Sequence, residues 1–212
     1  MKIRYALFYV LTVAFLVNLQ AADVNRIIKN VQNTYDKMSN LTATFRQVES
    51  FRLTGTQMET NGKIYIHNGT MYRFESEDQT IVTDGKTIWT YNAMSNQLLI
   101  DHVRENSGAL LPRDLLFKYP KNYLATLLSE EKIAGKTMYT LRLDPRENVH
   151  GYIKNIRLWV EDKTWLIHKI ETTDLNDNRS LFEIENQDSK TKLTPQLFSF
   201  QAGDDVEVVD MR

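Results

Sequence analysis

The sequence predicts an α+β fold in which one large, mostly antiparallel β-sheet curls into a half-open barrel. Three observations lead to this prediction: a helical period near the N-terminus, about ten segments that alternate with a period of two, and turn signals between those segments. Parallel βαβ topology is disfavoured because the alternating segments follow one another without intervening helices. Because no linker composition or repeat interrupts the pattern, we expect one domain over residues 22–212.

The first 21 residues have the three parts of a secretory signal. Lys2 and Arg4 form a basic start, an apolar run extends from Tyr5 to Val17, and small residues at Ala21 and Ala22 offer a cleavage site. The apolar run is shorter than the roughly 20 residues of a membrane span, although an uncleaved anchor is the alternative. We therefore expect an exported chain whose signal, residues 1–21, is removed.

Composition excludes several classes of function. The chain has 212 residues, with 26 Lys and Arg against 27 Asp and Glu, and a formal net charge of -1. This balance argues against a nucleic-acid partner, because phosphate binding needs a basic surface. The absence of Cys excludes disulfides, thiolate metal sites, a Cys nucleophile and a lipid-modified N-terminal Cys.

The predicted elements follow from hydrophobic period and turn chemistry. Residues 23–38 predict an amphipathic helix, because apolar residues recur at i, i+3, i+4 and i+7 from Val24 onwards. Asn68-Gly69 and Asp84-Gly85 are strong signals for two-residue hairpin turns. Period-two alternation predicts strands over residues 41–48, 62–67, 70–75, 79–83, 87–91, 97–103, 138–143, 153–161, 166–173 and 181–186.

The middle of the chain predicts two short helices, over residues 112–119 and 122–129, separated by Pro120. Their apolar side chains would form a lid, and the predicted lid residues are Leu115, Leu116, Leu124, Leu127 and Leu128. One face of the predicted sheet is apolar and the other is polar. The apolar interior is either a packed core or a lipid cavity, and pattern alone favours the packed core, since small barrels fill with side chains.

The sequence carries no motif for catalysis or metal binding that we can identify. None of the four His residues has a metal-like partner two or four positions away, and the paired carboxylates Glu130-Glu131 and Asp204-Asp205 are adjacent, so they point apart. A nucleophile elbow, a dinucleotide fingerprint and a phosphate loop are all missing. We therefore expect no catalytic residues, no cofactor and no metal, with a secreted esterase as the enzyme alternative.

One segment resembles a family signature. Residues 79–92, followed by Gln97, are similar to the signature block of the LolA family of periplasmic lipoprotein carriers, and the matching residues are Asp84, Gly85, Lys86, Trp89 and Tyr91. Further similar segments follow the same order along the chain: Phe-x-Gln at 45–47, a Gly-opened strand at 62–66, and a closing tail at 193–206. The resemblance covers nearly the whole chain after the signal.

The resemblance implies an incomplete β-barrel of about 10–11 strands with an N-terminal helix and a helical lid over an apolar cavity. It implies a monomeric periplasmic carrier that binds the acyl chains of lipoproteins released by an inner-membrane ABC-type exporter and delivers them to an outer-membrane receptor. The cavity residues expected on this basis are apolar and lie mostly on alternating strand positions: Ala43, Phe45, Ile64, Ile66, Tyr72, Phe74, Ile81, Leu141, Ile156, Leu158, Phe182 and Ile184.

One departure from the family pattern concerns the gate of the lid. The family has an Arg-Pro pair after the second strand, whose Arg holds the lid, whereas Asn68 and Gly69 occupy the matching positions here. Candidate gate residues are therefore Asn68, Arg73 and Arg113, although turn chemistry alone also explains Asn-Gly. Two further alternatives share the predicted sheet: an envelope sensor or regulator that binds lipid, and a structural domain with a dry packed core.

Overall fold

The computed structural model describes residues 23–103, 122–147 and 151–212. The predicted signal over residues 1–21 and the predicted helix over residues 112–119 lie outside the described residues. Within the described ranges, no helix has both the length and the apolar character that a membrane crossing requires.

Among the described residues, one α-helix, α1, covers residues 23–37, in agreement with the helical period of the sequence. Its apolar stripe is buried, and Ile27 and Val31 are fully inaccessible to solvent. Because residues three and four apart share one face of a helix, this stripe packs as a unit against the sheet.

Twelve strands form one sheet in the described part of the chain. In chain order they are β1 (Asn40–Ser50), β2 (Gln57–His67), β3 (Met71–Ser76), β4 (Gln79–Thr83), β5 (Thr87–Asn92), β6 (Gln97–His102), β7 (Tyr123–Ile133), β8 (Lys136–Pro145), β9 (Ile153–Glu161), β10 (Ile167–Asp174), β11 (Arg179–Asp188) and β12 (Glu207–Asp210).

The sheet is open and mostly antiparallel, as the sequence predicts. The spatial order is β12-β6-β5-β4-β3-β2-β1-β11-β10-β9-β8-β7, so β12 and β7 are its two edges. Consecutive strands pair as hairpins from β1 to β6 and from β7 to β11, and β1 also pairs with β11. Among the described strands, only the short pair of β12 with β6 is parallel. Hairpins form at both predicted turns, and Asn68 and Gly69 have positive φ, 47° and 66°, but neither turn has two residues. His67 pairs with Met71 and Thr83 pairs with Ile88, so residues 68–70 and 84–87 form the turns.

The predicted helix over residues 122–129 is wrong, because this segment forms β7 at the sheet edge. Leu124, Leu127 and Leu128 fit a helical spacing, but Tyr123, Ala125 and Leu127 also alternate with a period of two. Pairing with β8 selects the strand, and a bulge near Leu128 absorbs the extra residue. Leu127 packs against the core, whereas Leu124 and Leu128 stay about half exposed.

The main core lies between α1 and one face of the sheet, which we call the inner face. The apolar stripe of α1 packs there against alternating residues of β1, β2 and β8–β11. The opposite face, the outer face, carries a C-terminal tail that includes the 3₁₀ helix Pro195–Phe198. Phe198 is fully buried and its ring stacks on His67 of β2 at 5.7 Å.

Candidate functional site

The structure places most of the predicted cavity residues beneath α1. Eight of the twelve are buried in the core cluster that α1 completes: Ala43, Phe45, Ile64, Ile66, Leu141, Ile156, Leu158 and Ile184. Tyr72, Phe74 and Phe182 are only partly buried and pack at the margin of this cluster. Ile81 is half-buried on β4, where it pairs with Phe74. Lipid contact by these residues stays a prediction.

Three aromatic rings mark the margin of the core on the inner face. Phe45 stacks on Phe74 with their ring centroids 4.2 Å apart, and Phe182 lies 5.9 Å from Phe45 and 6.4 Å from Phe74. Gly62 makes this arrangement possible, because an added Cβ there would lie 2.5 Å from the Phe45 ring and 2.0 Å from the Glu75 carbonyl oxygen. The aromatic trio thus separates the part of the inner face filled by α1 from the part beyond it.

Beyond the aromatic trio, a cavity of about 330 Å³ opens on the inner face near the β1–β2 and β10–β11 hairpin tips. We call it the tip cavity. Its lining consists of Gln47, Glu49, Ser50, Phe51, Tyr152, Ile153, Ile170, Thr172, Asp174, Asn178, Arg179, Ser180 and Phe182. The volume is at the lower end of the range for small-ligand pockets. An apolar chain of modest length therefore fits this space.

The lining of the tip cavity combines apolar walls with one hydrogen-bonded polar trio. Register places Gln47 beside Phe182 and Glu49 beside Ser180, so these four side chains share the inner face. The Gln47 side-chain amide donates to Glu49 Oε1 at 2.9 Å and to Ser180 Oγ at 3.0 Å. A carboxylate is thereby held at a fixed place beside apolar side chains.

Hydrogen bonds between loops hold the rim of the tip cavity. Arg52 donates from its backbone to Asn178 Oδ1 at 3.0 Å and from its side chain to Asp177 Oδ2 at 2.8 Å, which joins the two hairpin tips. Lys154 also reaches Asp177, and its hydrogen bond holds the pKa of that carboxyl below its usual range. At the tips, Leu53 is 93% exposed and Leu175 is 65% exposed.

The described gate candidates contact other parts of the chain. Asn68 lies in the β2–β3 turn, and its side chain is 3.0 Å from His67 Nε2. Arg73 is on the outer face, where it donates to the carbonyl oxygens of Leu197 and Ser199 in the C-terminal tail. Arg113 and two lid candidates, Leu115 and Leu116, lie outside the described residues.

The signature residues form a hairpin and an anchor for the tail. Asp84 Oδ1 accepts hydrogen bonds from the backbone of Lys86 and Thr87, both at 2.8 Å, and Gly85 has a φ of 92°. Register puts Trp89 on the outer face opposite Val82. The ring of Tyr91 stacks on Phe200 of the tail at 5.2 Å. These contacts are structural, and they concern the face opposite the tip cavity.

A buried carboxylate lies on the outer face near the β9–β10 turn. Glu161 Oε2 accepts from Lys136 Nζ at 2.9 Å and lies 2.8 Å from His168 Nε2. Burial alone would raise the pKa of Glu161, but the hydrogen bonds from Lys136 and His168 outweigh burial, so the pKa is lowered. Within the three described ranges, no group of three His, Asp or Glu residues is placed to hold a metal ion.

Most residues of the tip cavity were missed at the level of sequence. Of the predicted cavity residues, only Phe182 lines it. Gln47, Glu49 and Ser180 occupy inner-face positions of β1 and β11. Polar residues at such positions are typical of the end of a strand, so the sequence did not single them out. The available signal was the length of the β1–β2 hairpin, whose strands continue to Ser50 and Gln57, well beyond their apolar part.

Fold and site together define a class of protein: an open β-sheet with one helix on its inner face and an apolar cavity beyond that helix. The family profile described as "Outer membrane lipoprotein carrier protein LolA" matches residues 36–201. The chain therefore belongs to the LolA family, as its signature block indicates.

Individual relatives agree with this assignment. An outer-membrane lipoprotein carrier protein of Haemophilus influenzae is 26% identical, over 97% of this chain and 96% of the relative. A protein of the same name from Salmonella paratyphi A is 20% identical, over 87% and 88% of the two chains. Among solved structures, an uncharacterized conserved protein from Thermus thermophilus has the same fold, with a TM-score of 0.60, 15% identity, and coverage of 89% and 99%.

Proposed function

We propose that this chain is a periplasmic carrier that holds the acyl chains of lipoproteins on the inner face of its sheet. The single observation that carries the proposal is the tip cavity, which begins at the aromatic trio and continues the apolar inner face beyond α1. Membership of the LolA family and the names of its relatives support the same role.

Solvation energy explains why such a carrier is needed. Each methylene group exposed to water costs about 0.8 kcal/mol, so a free acyl chain would aggregate or return to a membrane. Partly buried side chains such as Phe74, Ile81 and Phe182 would supply apolar contact without directional bonds. Contact of this kind tolerates many cargo proteins, because it recognises the chain rather than the polypeptide attached to it.

The route of the cargo is the second part of the proposal. The basic start, apolar run and small residues of the first 21 positions support export and cleavage of the signal. In the proposed route, the mature domain, residues 22–212, receives lipoproteins from an inner-membrane ABC-type exporter and gives them to an outer-membrane receptor. Transfer at the second step needs only a receptor with a higher affinity for the acyl chains.

Charge placed on the inner face tests the proposal. Ile81→Glu and Phe182→Glu should reduce co-purification with an acylated lipoprotein at least about tenfold, because a buried carboxylate disfavours an apolar guest. Native mass spectrometry of the complex gives the same readout without a membrane fraction.

Matched controls lie on the same two strands. Thr80→Glu and Leu181→Glu add the same charge one position away, on the outer face, and should leave binding unchanged. Circular dichroism must show that all four variants are folded. Full binding by both inner-face variants would contradict the proposal.

A further inference from the structure

The tip cavity contains a carboxylate whose position hydrophobic binding alone does not explain. Glu49 points to the inner face beside Ser180, whereas Arg46 on the outer face of the same strand forms an ion pair with Glu59 at 2.7 Å. Within the described residues, Glu49 has no salt bridge, and its one side-chain partner is the neutral amide of Gln47. The Oε2 atom makes no hydrogen bond in that part of the chain.

We infer that Glu49 makes the tip cavity selective for acylated ligands that carry a primary ammonium group next to their acyl chains. This inference rests on the proposed function, because it assigns the head-group preference of the same site. A carboxylate beside apolar walls is incompletely solvated, so a ligand cation that enters with its chain supplies the missing partner.

The other charged groups of the lining do not offer the same contact. Both carboxylate oxygens of Asp174 are used within its own turn, by the backbone of Asn176 and Asn178 and by the Asn178 side chain. Arg179 is the one cation in the lining. Because it is adjacent to Ser180 on β11, its side chain leaves the strand on the opposite face, and its charge acts on Asp177 of the rim. Glu49 is therefore the charged group best placed to meet a head group next to the chain.

The apolar walls fix where the ammonium group must sit. Phe182 and Ile170 are farther from the hairpin tip than Ser180 and Thr172 on the same two strands. A chain packed on Phe182 would therefore direct its head toward Glu49 and the rim. Two sources have this chemistry: a diacylated N-terminal Cys peptide with a free α-amine, and a phospholipid with an ethanolamine head group.

Three probes of equal chain length test the inference on the mature protein. Dodecylammonium, dodecanol and dodecanoate, each below its micelle concentration, compete with a fluorescent alkyl probe. We expect dodecylammonium to bind about tenfold more tightly than dodecanol, the effect of one charge-assisted contact, and dodecanoate to bind most weakly. Equal binding of dodecylammonium and dodecanol, or a preference for dodecanoate, would overturn the inference.

Two isosteric variants isolate the carboxylate. Glu49→Gln should abolish the preference for dodecylammonium while dodecanol binds as before. Glu185→Gln makes the same change on the outer face of β11 and should retain the preference. A preference that survives in Glu49→Gln would assign it to another group and overturn the inference.

The neutral probe separates the two proposals. If dodecanol does not bind at all, the proposed apolar binding site is contradicted. If dodecanol binds and dodecylammonium binds no more tightly, only the proposed role of Glu49 is contradicted.

A diacylated Cys peptide, its N-acylated counterpart and phosphatidylethanolamine then identify the source of the ammonium group. Tighter binding of the free-amine peptide than of its N-acylated form supports the lipopeptide, and tighter binding of phosphatidylethanolamine than of phosphatidylglycerol supports the phospholipid. Discrimination in neither pair would count against the inference.

Discussion

The two ends of the inner face are built from the same strands but are occupied in different ways. Toward α1, the strands present Leu41, Ala43 and Phe45 to a helix that buries them almost completely. Toward the hairpin tips, β1 presents Gln47 and Glu49, and a cavity takes the place of the helix. One strand can therefore contribute to a rigid core and to a binding surface, depending on what covers it.

The packed end should respond most strongly to a loss of side-chain volume. Ile27→Ala removes a fully buried side chain of α1 and should lower the free energy of unfolding by about 2–5 kcal/mol. Ile153→Ala at the half-buried wall of the tip cavity should cost only about 1 kcal/mol. Urea denaturation of both variants measures the contrast, and equal losses would remove the distinction between the two ends.

The boundary between the two ends depends on Gly62. Gly62→Ala should lower the free energy of unfolding by about 1–3 kcal/mol, because the new methyl group would collide with the Phe45 ring and the Glu75 carbonyl. A shift of the Phe45 ring would disturb its stacking on Phe74, so binding of an alkyl probe should weaken as well. Gly55→Ala is a control for adding a methyl group to open space, although its φ of 67° gives it a backbone cost of its own. Unchanged unfolding of Gly62→Ala would show that Phe45 can move freely.

A buried hydrogen bond links α1 to the sheet at the packed end. The backbone N–H of Ile167 donates to the Tyr35 hydroxyl at 3.1 Å, and burial raises the pKa of Tyr35 to about 12. Tyr35→Phe leaves that buried N–H unpaired and should cost about 1–2 kcal/mol in thermal or urea unfolding. Tyr65→Phe on the outer face of β2 should change the stability little, and a similar loss in both variants would contradict the role of this bond.

The smallest expected effect on stability depends on pH and concerns Glu161, which lies on the outer face near the β9–β10 turn. Its pKa is lowered in the folded chain, so its stabilising contribution is present above the unfolded pKa of about 4.3 and is lost as the pH falls through the lower folded value. Glu161→Gln should therefore cost about 1 kcal/mol at pH 7 and less with each step below about pH 4. Unfolding midpoints between pH 7 and pH 3 test this, with Glu185→Gln as the matched substitution at an exposed site on the outer face.

Local signals predicted the packed end well. The helical period of residues 23–38 and the alternation of residues 41–48 determine which side chains face each other, because either period fixes a face without knowledge of the partner. The Asn-Gly signal located a hairpin for the same reason, although the turn has three residues and the register therefore differs by one residue from that of a two-residue turn. These features depend on neighbours in sequence, so the sequence was sufficient for them.

The cavity end and the sheet edge were harder to predict. Residues 122–129 satisfy both a helical and a strand period, and only pairing with β8 decides between them. The extent of the space that α1 fills depends on the length of the helix relative to the strands, which no local pattern records. Most of the predicted cavity residues therefore lie in the core beneath α1, and the polar trio of the tip cavity was not among them.

The C-terminal tail has a consequence for the handling of this protein. It crosses the outer face, where Phe198 is buried, and ends as β12 along the backbone of β6. A chain cut before Pro195 would uncover a row of unpaired amides and carbonyls on β6 beside the apolar side chains of Val82 and Leu98. Strands of neighbouring molecules can pair with such an exposed sheet edge, so shortened forms should be prone to aggregation.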